Sequence, residues 1–167
     1  MSGCGQSAGK AFMKVQNVNS KVAYYLVGFT DGEGSFNVSF VNRHQDFKSG
    51  WKIEPSFNIS QKDDSIPKLF QKILKCGTIR YRRDGICYFE VRKANDLSQK
   101  IIPFFRRYQL KSKKIKDFKL FSKIMEIITK KKHLNSFGIK KILKLRQKMN
   151  YGGKRKYQEV KIISTLS

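Results

Sequence analysis

Hydrophobic and polar positions alternate with a period of two from Ser35 onward: Phe36, Val38 and Phe40 point one way, and Ser35, Asn37, Ser39, Val41 and Arg43 the other. That pattern predicts a half-buried strand with a wettable outer face. The polar run from His44 to Gly50 predicts a hairpin tip. The return strand, Trp51 to Gln61, places Trp51, Ile53, Phe57 and Ile59 inward and Lys52, Glu54, Ser56, Asn58 and Ser60 outward. Pro55 has no N–H to give to a ladder, so it predicts an irregular or edge position. A second hairpin runs Thr78–Arg82 and Ile86–Arg92 and turns at Arg83-Asp84-Gly85. Its inward set is Ile79, Tyr81, Cys87, Phe89 and Val91, which leaves Thr78, Arg80, Arg82, Tyr88, Glu90 and Arg92 outside.

Helical spacing fills the gaps between these strands. Ahead of the first hairpin, Leu26, Val27 and Phe29 supply an apolar surface, and Gly32-Glu33-Gly34 ends the helix. Gly28 and Gly32 lie four apart on one helix face and leave it bare of side chains, open to close approach by another backbone. Glycine costs a helix about 1 kcal/mol each, so a pair suggests that the approach is wanted. Between the hairpins, Asp64 or Ser65 caps a helix with Ile66, Leu69, Phe70, Ile73 and Leu74 on its apolar face, stopped by Gly77. Another helix starts near Asn95 or Asp96 and carries Leu97, Ile101 and Ile102 up to Pro103. Two more follow, with Phe118, Phe121, Ile124, Met125 and Ile128, then Ile139, Ile142, Leu143, Leu145 and Met149, the last ended by Gly152-Gly153. The order helix, hairpin, helix, hairpin, helix predicts an α+β domain of αββαββα type, its antiparallel four-stranded sheet covered by helices on one face only, with additional C-terminal helices. Residues 1–19 read as a disordered lead-in, 20–150 as a single domain and 151–167 as a basic tail. The tail's composition fits a phosphate-contacting arm and a frayed end equally well.

Charge changes the picture more than length does. Lys and Arg number 36 against 12 Asp and Glu, a net charge of +24. Such an excess implies a polyanionic partner rather than a small-molecule substrate. No apolar run is long enough for a membrane span, so nucleic acid comes before lipid. The outward Asn, Ser, Lys and Arg of the sheet can donate and accept at base edges in a major groove, which admits a two-stranded ribbon, and arginines suit guanine edges or phosphates. An ordinary solvent-facing sheet would show the same alternation. The cation-dense stretch Pro103 to Lys114, with Lys113 and Lys114 at its end, reads as a phosphate-binding rim. Cys4, Cys76 and Cys87 are an odd set without metal-site spacing, and Cys76 and Cys87 sit in apolar patterns as buried thiols. Abundant Lys, Ile, Asn and Phe hint at an AT-rich genome such as that of a chloroplast or mitochondrion.

The chemistry centres on Glu33, an acid at a helix-to-strand corner beside carbonyls, a place suited to a hard cation. The stretch Leu26-Val27-Gly28-Phe29-Thr30-Asp31-Gly32-Glu33-Gly34-Ser35-Phe36 resembles the signature of the LAGLIDADG homing endonucleases. The resemblance extends over roughly Ser20 to Ile128. It implies a saddle-shaped sheet over DNA, and motif helices from two domains packed together. It also implies that Glu33 binds Mg²⁺, or another divalent cation such as Mn²⁺, with the Gly32 carbonyl, and that Asp31 is structural. Lys111 best matches the family's basic residue near the scissile phosphate, with Lys113 close behind, and Gln61 matches a water-positioning polar residue. A single signature in the chain implies a homodimer on double-stranded DNA that cuts both strands of a long pseudo-palindrome and leaves 3′ overhangs. Two other readings share parts of this pattern: an RNA maturase of the same fold, which needs no intact metal acid, and a non-catalytic nucleic-acid-binding protein, which needs no motif.

Overall fold

The computed structural model describes residues 18–152 and 155–166. The expected lead-in therefore lies almost wholly outside the described residues, as does Cys4. Helix α1 (Ser20–Glu33) starts at Asn19, whose side chain accepts from the N–H groups of Lys21 and Val22. Its buried residues Ala23, Leu26, Val27 and Thr30 recur at helical spacing and face the core. The helix runs two residues beyond the expected stop at Asp31, and Gly34 ends it. An added Cβ on Gly34 would lie 2.5 Å from Thr30 Cγ2 and 2.9 Å from the Thr30 carbonyl, so the turn into the first strand admits glycine alone.

Four antiparallel strands follow the order β1-β2-β4-β3, with β1 at Ser35–Asn42, β2 at Trp51–Gln61, β3 at Thr78–Tyr81 and β4 at Cys87–Val91. Ser35 pairs with Asn58 and Asn42 with Trp51, so β2 meets β1 along most of its length. The other side of β2 meets β4 only from Phe57 to Gln61. Pro55 sits where β2 has a neighbour on one side alone, which is how the strand tolerates it. The inward set holds, with three departures. Ile53 and Ile79 are half-buried, and Tyr81, expected inward, is 60% exposed on the edge strand β3, its hydroxyl donating to Asp64. Arg43 and Arg82 each lie one residue past their strands.

Helix α2 (Ser65–Leu74) packs Phe70 against Phe89 and Phe57. Asp64 stands at its N-cap as expected but makes no side-chain capping bond; the Asp63 carboxylate instead accepts from the N–H and hydroxyl of Ser65. The helix stops at Lys75 in a left-handed conformation, two residues before Gly77. Between α3 (Ala94–Asp96) and α4 (Ile102–Arg107) the chain makes a π-helical turn over Leu97–Ile101, with the Ile102 N–H bonding back to the Leu97 carbonyl. This widened turn lets the helix pass through Pro103, its expected end, because the proline ring no longer collides with a tight preceding turn. Helices α5 (Lys114–Thr129) and α6 (Ser136–Gln147) complete the layer, and α6 ends well before the glycine pair. Phe36 is the hub of the core, with ring centroids 5.0–5.5 Å from Phe57, Phe105, Phe118 and Phe121.

The described part of the C-terminal segment is packed rather than frayed. Ile162 of α7 (Glu159–Ile163) is fully buried, Tyr157 meets the Trp51 ring edge-on, and Trp51 Nε1 donates to Thr165. Cys76 and Cys87 are buried free thiols. Among the described residues no helix is long and apolar enough to cross a membrane.

Candidate functional site

Glu33 is the last residue of α1 and is exposed at the junction with β1. Asp31, two residues earlier, turns to a different part of the chain: its carboxylate accepts from the Lys111 N–H at 2.8 Å, the Ser112 N–H at 3.2 Å and the Ser112 hydroxyl at 2.7 Å. These bonds fasten the lead-in to α5 onto the end of the motif helix and set Lys111 beside it, its side chain exposed. Lys113 is also exposed on this rim.

Lys114, expected on the same rim, turns inward instead. Its ammonium donates to the Gly32 carbonyl at 3.3 Å and, in closer contact, to that of Gly34. Burial lowers its pKa, while Asp31, Glu33 and Asp117 pull the other way. A side-chain cation thus already rests on the carbonyls that flank Glu33. Only the lysine count, four cations within Lys111–Lys116, signalled such a contact in the sequence.

Gln61 ends β2, its Oε1 accepting from the Lys62 N–H. Because Ser35 pairs with Asn58, Gln61 continues past the first residue of β1 at the end of the sheet where Glu33 stands. Glu33 and Gln61 therefore lie toward the same end of the sheet, and Lys111 lies beside the motif helix that ends there.

The helix-free face carries Ser35, Asn37, Ser39 and Val41 on β1, Lys52, Glu54, Ser56, Asn58 and Ser60 on β2, and Thr78, Arg80, Tyr88, Glu90 and Arg92 on the second hairpin and just beyond it. Glu90 departs from the expectation of an exposed contact. It is 9% exposed and holds the guanidinium groups of Arg80 and, at 2.9 Å, of Arg92. It aims arginines rather than reaching out itself. Arg82 donates to the Tyr88 hydroxyl at 3.0 Å and pairs with Asp84. Lys52 pairs with Glu54 at 2.8 Å.

The outer side of α1 is uncovered. Virtual Cβ atoms on Gly28 and Gly32 meet nothing within 4 Å, and the flanking Tyr24 and Tyr25 are 56% and 54% exposed.

The chain is similar to known proteins in sequence and in fold. The family model described as "LAGLIDADG endonuclease" matches residues 26–125. A Neurospora crassa protein named "Probable intron-encoded endonuclease 2" is 32% identical over 128 residues, covering 75% of this chain and 26% of its own length. The chain thus spans about a quarter of the length of that curated relative. Among solved structures, the homing endonuclease I-TnaI superposes with a TM-score of 0.75 at 31% identity over 86% of this chain and 94% of its own. I-SmaMI, solved bound to an uncleaved DNA target in the presence of calcium ions, gives 0.75 at 28% identity over 83% of this chain and 47% of its own. A match across most of the domain, carried by the motif helix, both hairpins and the helix fastened to Asp31, makes this chain a member of the LAGLIDADG endonuclease family.

Proposed function

We propose that two copies of this chain form a site-specific double-strand DNA endonuclease that hydrolyses phosphodiester bonds with the help of a divalent cation, Mg²⁺ in the first instance. The observation that carries the reading is Glu33: an exposed carboxylate at the end of a helix whose glycine face is bare, so that pairing two such helices brings two acids together. Coverage of nearly all of I-TnaI but about half of I-SmaMI supports one chain supplying half of the assembly.

The residues present fit a magnesium site of the kind that uses one or two carboxylates with substrate phosphates. Glu33 offers the carboxylate and Gly32 the carbonyl, and among the described residues there is no cluster of three His, Cys, Asp or Glu that would make a complete site from one chain. Bound there, a divalent ion supplies Lewis-acid chemistry, lowering the pKa of water and neutralising charge on the phosphodiester. The chain's own residues do the remainder. Lys111 places an ammonium where negative charge grows, Gln61 orients the attacking water, and Asp31 holds the Lys111 segment in place. Lys114 donates to the Gly32 oxygen that would help hold the ion. The sheet face reads bases, with Asn58, Arg80 and Arg92 as its donors and Glu90 as the residue that aims the last two. Composition supports an organellar genome as the source.

The test is cleavage of duplexes selected for binding from a randomised pool. The wild-type protein cuts both strands with Mg²⁺ and stops when EDTA is added. Glu33→Gln binds the same duplexes and leaves them whole; cutting by this variant at the wild-type rate would remove Glu33 from the mechanism.

A further inference from the structure

The C-terminal segment encloses a second charged site, away from Glu33. A cavity of about 410 Å³ lies between the edge strand β1 and the segment after α6, lined in part by Ser35, Asn37, Arg146, Asn150, Arg155 and Lys156. Arg146 is 7% exposed, with its guanidinium 5.0 Å from the centre of the Phe40 ring. Its Nη1 is buried and has no hydrogen-bond partner among the described residues. Two carboxylates border the region: Asp117, which accepts from the Asn150 N–H at 2.9 Å, and Glu159, whose Oε1 stands 3.7 Å from Arg155 Nη1 and makes no hydrogen bond. Arg155 spends its other nitrogen on the carbonyls of Arg146 and Met149.

Two guanidinium groups and the Lys156 ammonium thus outnumber two acids, one of them already accepting a backbone N–H, which leaves a surplus of positive charge in a partly desolvated pocket. A buried cation without matched hydrogen bonds is costly, and an anion with acceptor oxygens in the cavity would offset the surplus charge. Burial, reinforced by the Arg155 charge, brings the Arg146 pKa down to about 10, which still leaves it protonated at neutral pH. Ser35 and Asn37 belong to the outward set of β1, so the cavity borders the helix-free face. Asn150 fixes this wall by donating to the Phe36 carbonyl at 3.0 Å and to Asn37 Oδ1 at 3.3 Å. A duplex lying across that face carries its backbone to the sheet edge.

We propose that this cavity binds one phosphate group of the DNA backbone, with Arg146, Arg155 and Lys156 as its cationic wall. The assignment to DNA rests on the proposed function; the assignment to phosphate does not. Two measurements on the full chain separate them. The first is the salt dependence of affinity for a 40-base-pair duplex of arbitrary sequence. The second is thermal denaturation with and without inorganic phosphate at constant ionic strength. Arg146→Met removes the buried charge at similar volume, Lys156→Gln changes an exposed residue and spares the fold, and Lys123→Gln on the exposed side of α5 is the control.

Wild-type protein and Lys123→Gln should melt higher with phosphate. Arg146→Met should lose that shift, and both pocket variants should flatten the plot of log affinity against log salt by about 0.9 per subunit, the loss of one phosphate contact. Unchanged slopes in both pocket variants would overturn the DNA assignment. If Arg146→Met nevertheless abolishes the phosphate shift, the site takes free phosphate instead; if the shift is absent from the wild type as well, there is no phosphate site. Should Arg146→Met fail to fold, the slope and melting shift of Lys156→Gln decide. Wild-type protein with no salt-dependent affinity for DNA would sink the proposed endonuclease, leaving the phosphate shift to judge the pocket alone.

Discussion

Asp31 acts as the capping residue of a stretch far away in sequence. It accepts two backbone N–H groups and a hydroxyl from Lys111 and Ser112, groups that precede a helix and have no partner within it. Asp31→Ala should cost about 2 kcal/mol, the upper range for a lost cap and consistent with lost charge-assisted hydrogen bonds, read from urea denaturation. Asp31→Asn keeps one acceptor and should lose less; an Ala variant as stable as the parent would refute the tether. A structural role for Asp31 was legible from its place in the motif, but its partner was not, because contacts between distant segments leave no periodic trace. The inward turn of Lys114 and the burial of Glu90 were hidden for the same reason. Residue chemistry also bears on Cys76, whose thiol burial pushes up to about 11. At pH 8 it is almost wholly protonated, so iodoacetamide should leave the peptide containing Cys76 unlabelled in the folded protein and label it after denaturation, as read by mass spectrometry.

At the scale of elements, the strands were the most legible part because one face of the sheet is buried and the other is not. Phe36, Val38 and Phe40 are all buried, and the register Phe36↔Phe57 puts two of the largest core rings opposite each other. Where burial is incomplete the pattern misleads, as at Tyr81 on the short edge strand. Helix ends were less legible, each for a local reason: α1 continues through Gly32 because a helix tolerates the residue until Gly34 forces the corner, and α4 continues through Pro103 because a π-turn precedes it. The C-terminal segment was illegible, since what orders it is Trp51 and the β1 edge rather than any periodicity of its own. The core joins these elements through Phe36, which is 1% exposed and touches rings from β2, α4 and α5. Phe36→Ala should therefore cost about 3–5 kcal/mol, and it would do so without altering any residue of the site. A loss below about 1 kcal/mol in denaturant titration would mean that the surrounding rings close the cavity and that Phe36 is not the hub.

At the scale of the molecule, the proposed dimer takes its symmetry from the bare face of α1. With nothing within 4 Å of virtual Cβ atoms on Gly28 and Gly32, and tyrosines exposed beside them, the helix leaves open the face that the proposed dimer would pair. Contact through the same patch on both subunits gives a two-fold axis. Gly28→Leu should hold two such helices apart and yield an inactive monomer, and sedimentation of both proteins checks this: a monomeric parent, or a dimeric variant, would contradict the assembly. The two-fold axis then fixes the form of the target. β2 carries 11 residues, which at roughly 3.3 Å each spans on the order of 36 Å, about ten base pairs of duplex. Two subunits should cover roughly twenty base pairs, and identical side chains should read the two halves, so the preferred site is a pseudo-palindrome. Glu90→Gln would release Arg80 and Arg92 from their shared carboxylate, and its effect should appear as relaxed preference at the same position in both halves. Lys113→Gln, by contrast, should weaken all sequences alike and reduce the salt dependence. A protected region of ten base pairs, or a change of preference confined to one half, would show that the two sheets do not lie symmetrically on one duplex.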